Sequence, residues 1–463
     1  MAKTKVPLSK GEKVILEIEG LNHDGEGVGR FHGFTVFVPW TAPGDRVEAE
    51  IISFQKNYAR ALPLSLPHPS PYRQEAPSPY HGRCGGCQLQ HLQYSEQLRR
   101  KRQLVADALQ RLGGIDVPVR PVMGMEEPWH YRNKAQYPVV QEGGKPKIGF
   151  FQRRSHNLVD VRHCLIQHPA AERVVAVVRE LITELNIPVY NEKEHRGLLR
   201  HLITRTSFSS GEVLLVLVTN GRELPALDQL VAQLTNRVKD LVGIVQNINT
   251  RRGNVITGEE NLLLWGRDYV VEELGALRFQ ISAGSFFQIN SRQAKVLFNL
   301  VRDYAELKGG ETVFDLYCGS GAISLFLSGK AARVIGVESY TPAVEDARKN
   351  ARLNGITNVE FHAGLAEEVM TALSAQCLRA DVAVMDPPRK GCEEKLLAAL
   401  AEMQPSRIVY VSCNPATLAR DLRYLAGAGP GYHPVAVQPI DMFPHTAHVE
   451  CIVLIKRVES RMK

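Results

Sequence analysis

Four short, largely apolar runs recur in the C-terminal part of the chain, Val313 to Leu316, Val334 to Val337, Val382 to Met385 and Ile408 to Val411, with helical stretches between them. Such runs read as strands of a parallel sheet, because each crossover helix covers one face and both faces end up buried. From about residue 281 onward the alternation predicts a doubly wound α/β domain. In open sheets of this kind ligands bind beyond the carboxyl ends of the strands, so the residue that each run delivers at its end is where chemistry is expected.

The first run leads through Tyr317 and Cys318 into Gly319-Ser320-Gly321, and a helix is expected from Ala322 to Ser328. Glycines let the backbone approach a ligand closely, and a helix N-terminus offers free N–H groups. Seventeen residues past Gly321 the second run ends in Glu338, a carboxylate placed to grip ribose hydroxyls. A tight turn with nothing bound, or a dinucleotide site, would share this layout. The nicotinamide fingerprint GxGxxG is missing, because Ala322, Ile323 and Ser324 follow Gly321. An aspartate four residues ahead of GxG, with an acid downstream, is the usual layout of S-adenosylmethionine methyltransferases.

The third run delivers Asp386-Pro387-Pro388-Arg389-Lys390. Two prolines stiffen this loop, so Asp386 is expected to point into the cleft, an ordinary connecting loop being the alternative. The fourth run ends in Ser412-Cys413-Asn414-Pro415. A thiol at a strand end, followed by a proline, is placed like a nucleophile, although cysteine is also often buried as an inert small hydrophobe. Near the C-terminus, His448-Val449-Glu450-Cys451-Ile452-Val453-Leu454 reads as a further strand with one carboxylate in an apolar run. Burying Glu450 costs on the order of several kcal/mol unless it is paired or protonated. It is therefore either structural with a partner or functional with a raised pKa.

The 463 residues are enough for several domains, and the net charge of +7 suits a polyanion such as nucleic acid. No signal peptide is evident in Met1 to Lys5, and no stretch approaches the ~20 apolar residues of a membrane span. A cytoplasmic location and no membrane are expected. The eight cysteines then point to metal binding, catalysis or core rather than to a disulfide framework.

Residues 1–66 read as a small OB-like β-barrel, with strands at Val14 to Ile18, Thr35 to Val38 and Val47 to Ile52 and a turn-rich connection from Asp24 to Arg30. Six prolines between Pro63 and Pro79 suggest a linker. Residues 67–280 read as a central α+β domain, with a helix over Ala170 to Leu185 and a strand over Glu212 to Thr219. A further helix over 95–112 sets Leu98, Val105, Leu109 and Leu112 on one face, which could pack with the C-terminal domain. Its other face carries Arg99-Arg100-Lys101-Arg102, a solvated surface or an RNA contact. Tyr131 to Lys134, including Arg132, and the stretch Asn249 to Asn254 are RNA contacts or plain surface loops. Residues 281–463 form the α/β domain.

The motifs Ser285-Phe286-Phe287-Gln288-Ile289-Asn290, Asp315 to Gly321, Asp386 to Arg389, Ser412 to Pro415 and Asp441 to Glu450 together resemble the RNA (uracil-5-)-methyltransferase family, in its order and spacing. The barrel resembles a TRAM domain, so the resemblance covers nearly the whole chain. It implies a Rossmann-like S-adenosylmethionine methyltransferase domain acting on C5 of a uridine. It further implies that Cys413 adds to uracil C6 and that Glu450 removes the C5 proton. Gln288, Tyr317, Gly319, Glu338 and Asp386 match cofactor-binding positions, and Phe286 an aromatic lying against the target base. One further contact, an Asn in one branch, falls at Gly364. The 5-methylcytosine enzymes of RNA carry a cysteine in the loop that is Asp386-Pro387-Pro388-Arg389 here, so uracil is favoured.

Cys84-Gly85-Gly86-Cys87 with Cys164 resembles the four-cysteine iron–sulfur site of the family's 23S ribosomal RNA branch, except that Ser78 stands where the remaining cysteine is expected. An iron–sulfur cluster completed by Ser78 or His81, a three-cysteine cluster, zinc, and no metal are the alternatives. The resemblance implies a monomer acting on 23S rRNA. A transfer-RNA 5-methyluridine enzyme, a branch expected to lack the barrel and the CGGC segment, is the runner-up. A non-catalytic RNA-binding or assembly protein is the alternative of another class.

Overall fold

Residues 8–427 and 431–458 are described by the computed structural model. The N-terminal strands β1 (Lys13–Leu21), β2 (Gly27–Phe31), β3 (Phe34–Val38), β4 (Arg46–Phe54) and β5 (Tyr58–His68) close into a barrel in the order β1-β2-β3-β5-β4. Alternate residues of β1 and β4, among them Val14, Leu16, Ile18, Val47, Ala49 and Ile51, fill its core. The proline stretch is not wholly a linker, because β5 runs on to His68. Beyond Arg60 this strand pairs only with β4, and its free edge needs no N–H from Pro63 or Pro67. Arg153 and Arg154 of the next domain reach Asp24 at 3.0 Å each and tie the barrel down.

The helix α1 (Tyr94–Ala108) is followed by a π turn, Leu109–Gly113. That turn rotates the helical face, so Leu109 is buried but Leu112 is 53% exposed, contrary to expectation. Nor is the charge run a solvated face throughout. Lys101 is buried, and Arg99 and Arg100 both pair with the buried Glu96.

The central domain is a seven-stranded sheet in the order β12-β11-β10-β9-β6-β7-β8. Its strands are β6 (Lys134–Glu142), β7 (Lys145–Phe151), β8 (Leu158–Asp160), β9 (Leu199–Thr206), β10 (Val213–Thr219), β11 (Leu241–Ile248) and β12 (Glu260–Gly266). The helices α2 (Pro169–Glu184) and α3 (Leu227–Arg237) cover one face. The other face packs on the hairpin of β13 (Tyr269–Leu274) and β14 (Leu277–Ser282), joining this domain to the next through one core.

The C-terminal sheet has the order β17-β16-β15-β18-β19-β21-β20. It consists of β15 (Thr312–Leu316), β16 (Arg333–Glu338), β17 (Val359–Ala363), β18 (Val382–Met385), β19 (Arg407–Ser412), β20 (Tyr432–Ile440) and β21 (Glu450–Arg457). The first five run parallel and β21 antiparallel to both neighbours. The helices α4 (Ser291–Ala305), α5 (Ala322–Ser328) and α6 (Thr341–Leu353) pack on one face. The other face takes α7 (Ala366–Ala375), α8 (Glu394–Met403) and α9 (Pro415–Gly427), joined by Val105 and Leu109 from the N-terminal side. The sheet is thus the expected doubly wound, Rossmann-like one. Among the described residues no helix is long and apolar enough to cross a membrane.

Candidate active site

Strand register decides which side chains meet at the carboxyl edge of the sheet. The last pair between antiparallel β19 and β21 is Ser412 with Cys451. The residue that follows on β19, Cys413, and the one that precedes on β21, Glu450, therefore come to the same point from opposite directions. Parallel β15, β16 and β18 end along the same edge and add Tyr317, Glu338 and Asp386. All five line one cavity of about 910 Å³, together with Gln288, Gly319, Phe286 and Arg132. The residues singled out for catalysis, for the cofactor and for the target base are thus brought together, and the Asn249 to Asn254 stretch is not among them.

The glycine turn is built for close approach. Gly319 has φ +54° with open space where a Cβ would stand, so a side chain there would enter the cavity. Gly321, at φ +82°, has no room at all: a Cβ would lie 2.9 Å from Phe361 and 3.0 Å from Ala347. Glu338 is fixed across this turn, accepting from the Gly319 N–H at 3.2 Å and the Tyr340 N–H at 2.8 Å. Beneath it the buried Asp315 accepts from the Ser324 hydroxyl at 2.5 Å, and burial raises its pKa to about 7. A backbone cradle with a carboxylate at the tip of the second strand fits S-adenosylmethionine.

At the other end of the cavity the charges are enclosed. Burial raises the proton affinity of Glu450 well above that of a free carboxylate, Asp386 raises it further, and the Arg389 guanidinium opposes both. Asp386 is pushed up to about 7 by burial, against a 3.3 Å hydrogen bond from Gln288. The Cys413 thiol is pushed up to about 11 by burial, then by Glu450 and Asp386, with Arg389 again opposing. Arg389 sits 3.4 Å from Nδ1 of His448, whose pKa burial lowers to about 4. Asn414 donates to the Arg389 carbonyl at 2.9 Å and so ties the cysteine loop to the Asp-Pro-Pro-Arg loop. Arg389 and His448 both stand inside the quoted motifs, and only the fold shows that they line the same cavity as the thiol.

Phe286, 68% exposed, presents its ring on the cavity wall. Its loop is clamped from the central domain. The buried Arg205 donates to the carbonyls of Ala283 and Ser285, and Asn133 donates to the Gln288 carbonyl at 2.8 Å. Arg132 lines the cavity beside them, its buried Nε without a partner among the described residues. By contrast Arg251 pairs with Glu259, 2.5 Å away on the central domain's surface.

Cys84, Cys87 and Cys164 lie behind this wall, and Gly85 and Gly86 form part of it. Burial raises all three thiols, Cys87 to about 12 and Cys164 to about 11, and for these two the neighbouring cysteines add to the effect. The residues present do not fit a four-ligand cluster. Ser78 accepts from the Tyr80 N–H at 3.3 Å, and His81 Nε2 is taken up by His91 at 3.2 Å. Among the described residues no group of three His, Cys, Asp or Glu side chains is gathered closely enough for a metal ion. The expectation of an iron–sulfur cluster or zinc on Cys84, Cys87 and Cys164 is therefore not supported.

Fold and cradle together define an S-adenosylmethionine-dependent methyltransferase. Residues 93–458 match the tRNA (Uracil-5-)-methyltransferase family and residues 7–64 the TRAM domain. The chain is 48% identical to an uncharacterized RNA methyltransferase of Clostridium tetani over 461 residues, 100% of both chains. It is also 48% identical to one of Halalkalibacterium halodurans, over 98% of this chain and 99% of that one. The Pyrococcus abyssi tRNA (uracil-54, C5)-methyltransferase, solved with S-adenosyl-L-homocysteine, is 31% identical with a TM-score of 0.76, covering 95% of this chain and 99% of that one. This chain belongs to the tRNA (uracil-5-)-methyltransferase family. Coverage of 95% cannot omit the barrel, so a barrel does not separate ribosomal-RNA from transfer-RNA enzymes as expected.

Proposed function

We propose that this protein methylates C5 of a uridine in 23S rRNA through a covalent Cys413 adduct, as a monomer in the cytoplasm. The observation that carries the chemistry is the antiparallel β19–β21 register, which sets a thiol against a buried carboxylate at the edge where the glycine turn opens. Gln288, Tyr317, Gly319, Glu338 and Asp386 would hold S-adenosylmethionine, which supplies an electrophilic methyl group. Uracil C5 is too weak a nucleophile unaided. The deprotonated Cys413 sulfur bonds to C6 and makes C5 enolate-like, and a thiolate is suited to this because it both adds and leaves readily. After C5 is methylated, Glu450 takes the C5 proton. The electrons of that C–H bond restore the C5–C6 double bond, and the C6–sulfur bond breaks to release the thiolate. The raised proton affinity of Glu450 makes its carboxylate a strong base for a carbon-bound proton. Phe286 offers an aromatic face and Arg132 a cation for a uridine turned out of its stack.

The ribosomal target rests on the sequence resemblance of the CGGC segment with Cys164 to the ribosomal branch, not on a metal cluster there. A second reading, transfer RNA, is favoured by the Pyrococcus abyssi enzyme, whose alignment takes in the barrel. The test incubates the protein with S-adenosylmethionine and either 23S rRNA or tRNA, each containing 5-fluorouridine, whose C5 substituent cannot leave as a proton. A denaturation-stable adduct with 23S rRNA, lost in Cys413→Ala, is expected. An adduct with tRNA alone moves the target, and no adduct with either overturns the mechanism.

A further inference from the structure

The stretch 441–449 between β20 and β21 lines the cavity through Phe443, Thr446 and His448 and leads into Glu450. Its first residue, Asp441, directly follows Ile440, the residue paired with Glu450 across the two strands. Asp441 is completely buried and so is its partner Lys101 of α1, with Nζ 2.6 Å from Oδ1. The same ammonium donates to the Phe443 carbonyl at 3.0 Å, and the Tyr94 hydroxyl donates to Asp441 Oδ2 at 3.0 Å. Gln97, one turn away, takes the His445 N–H at 3.0 Å and donates to its Nδ1 at 3.2 Å. His445 is held at φ +66°, a conformation a non-glycine residue keeps only when its surroundings impose it. Three side chains of one N-terminal helix thus fix the segment that delivers Glu450.

A buried ion pair of this kind is weak evidence for stability, since its desolvation cost offsets the attraction, and its best-attested use is to fix one arrangement. We propose that Lys101, with Asp441 and Tyr94, is a positioning device for Glu450, required for loss of the C5 proton but not for addition of Cys413. None of these bonds from α1 goes to the Cys413 loop, which Asn414 ties to the Arg389 carbonyl, so they act on the Glu450 side of the shared β19–β21 register. Misplacing a base by a fraction of an ångström to an ångström costs on the order of 10–100-fold in rate. The inference rests on the reading of Glu450 as the base.

The test uses RNA carrying tritium at uridine C5, in which tritium release reports proton removal and a denaturation-stable band reports the covalent adduct. Glu450→Gln is the control for the reading itself and is expected to accumulate adduct without releasing tritium. Lys101→Met is expected to form adduct at close to the normal rate, release tritium on the order of 10–100-fold more slowly and so accumulate adduct on ordinary uridine. Lys101→Arg should restore part of the release. Tyr94→Phe, which keeps the ion pair, should shift the same balance by less and decides the matter if Lys101→Met does not fold. Adduct formation and tritium release that fall together, or that both stay unchanged, would overturn the positioning role while Glu450→Gln still traps. If Glu450→Gln traps nothing, the base assignment and this inference fall together.

Discussion

Cys413 and Cys87 are the same residue type with similar acidity, one thiol raised to about 11 and the other to about 12, yet their neighbourhoods differ in kind. Cys413 faces two carboxylates that can exchange a proton and an arginine that favours its thiolate, all opening on one cavity. Cys87 faces two other thiols and, although Arg132 favours its thiolate, no carboxylate among the described residues acts on it. A weakly acidic thiol becomes a candidate nucleophile through the proton acceptors and the open cavity beside it rather than through its own pKa.

The comparison breaks most sharply if the wrong cysteine matters. Cys413→Ala should lower methylation by ~10⁴-fold or more, measured as methyl incorporation at saturating RNA. Next in size, Gly319→Val puts a branched side chain at a positive φ and into the cradle, and should raise KM for S-adenosylmethionine by roughly 10²-fold. A pH series sharpens the contrast further. Because the folded thiol is raised to about 11, its reactive form is the minority at neutral pH and grows as pH rises. The kcat/KM should therefore climb, about tenfold per unit at most, from pH 7 toward 9. Arg389→Gln removes the cation that opposes the shift and should displace the profile to higher pH. The smallest effect is expected for the triple replacement of Cys84, Cys87 and Cys164 by serine, within about threefold of normal activity and with no iron or zinc in either protein by elemental analysis. Stoichiometric metal would end the distinction between the two cysteine environments.

The C-terminal sheet was legible because its strands are short apolar runs, so Asp386 and Cys413 could be placed at strand ends on one edge, whereas Glu450 was joined to Cys413 only by the family resemblance and meets it through the β19–β21 register. Other parts were hidden for identifiable reasons. Lys101 reads as part of a charged helix face because its carboxylate partner lies 340 residues away. Arg205 stands between Thr204 and Thr206 in β9, and nothing local shows that it holds the Phe286 loop by its carbonyls. A π turn that spoils the register of Leu112, and a strand edge free enough for Pro63, are likewise decided by neighbours distant in the chain.

The insertion of β21 between β19 and β20 has a consequence for synthesis. A polypeptide growing from its N-terminus completes the cofactor turn and the Cys413 loop long before Glu450 emerges, and β20 has no place in the sheet until β21 arrives to separate it from β19. A nascent or prematurely ended chain would therefore carry the Cys413 loop without Glu450 and an open sheet edge beside it. The sheet, and with it the edge on which the cavity opens, is complete only when the last strand has been made.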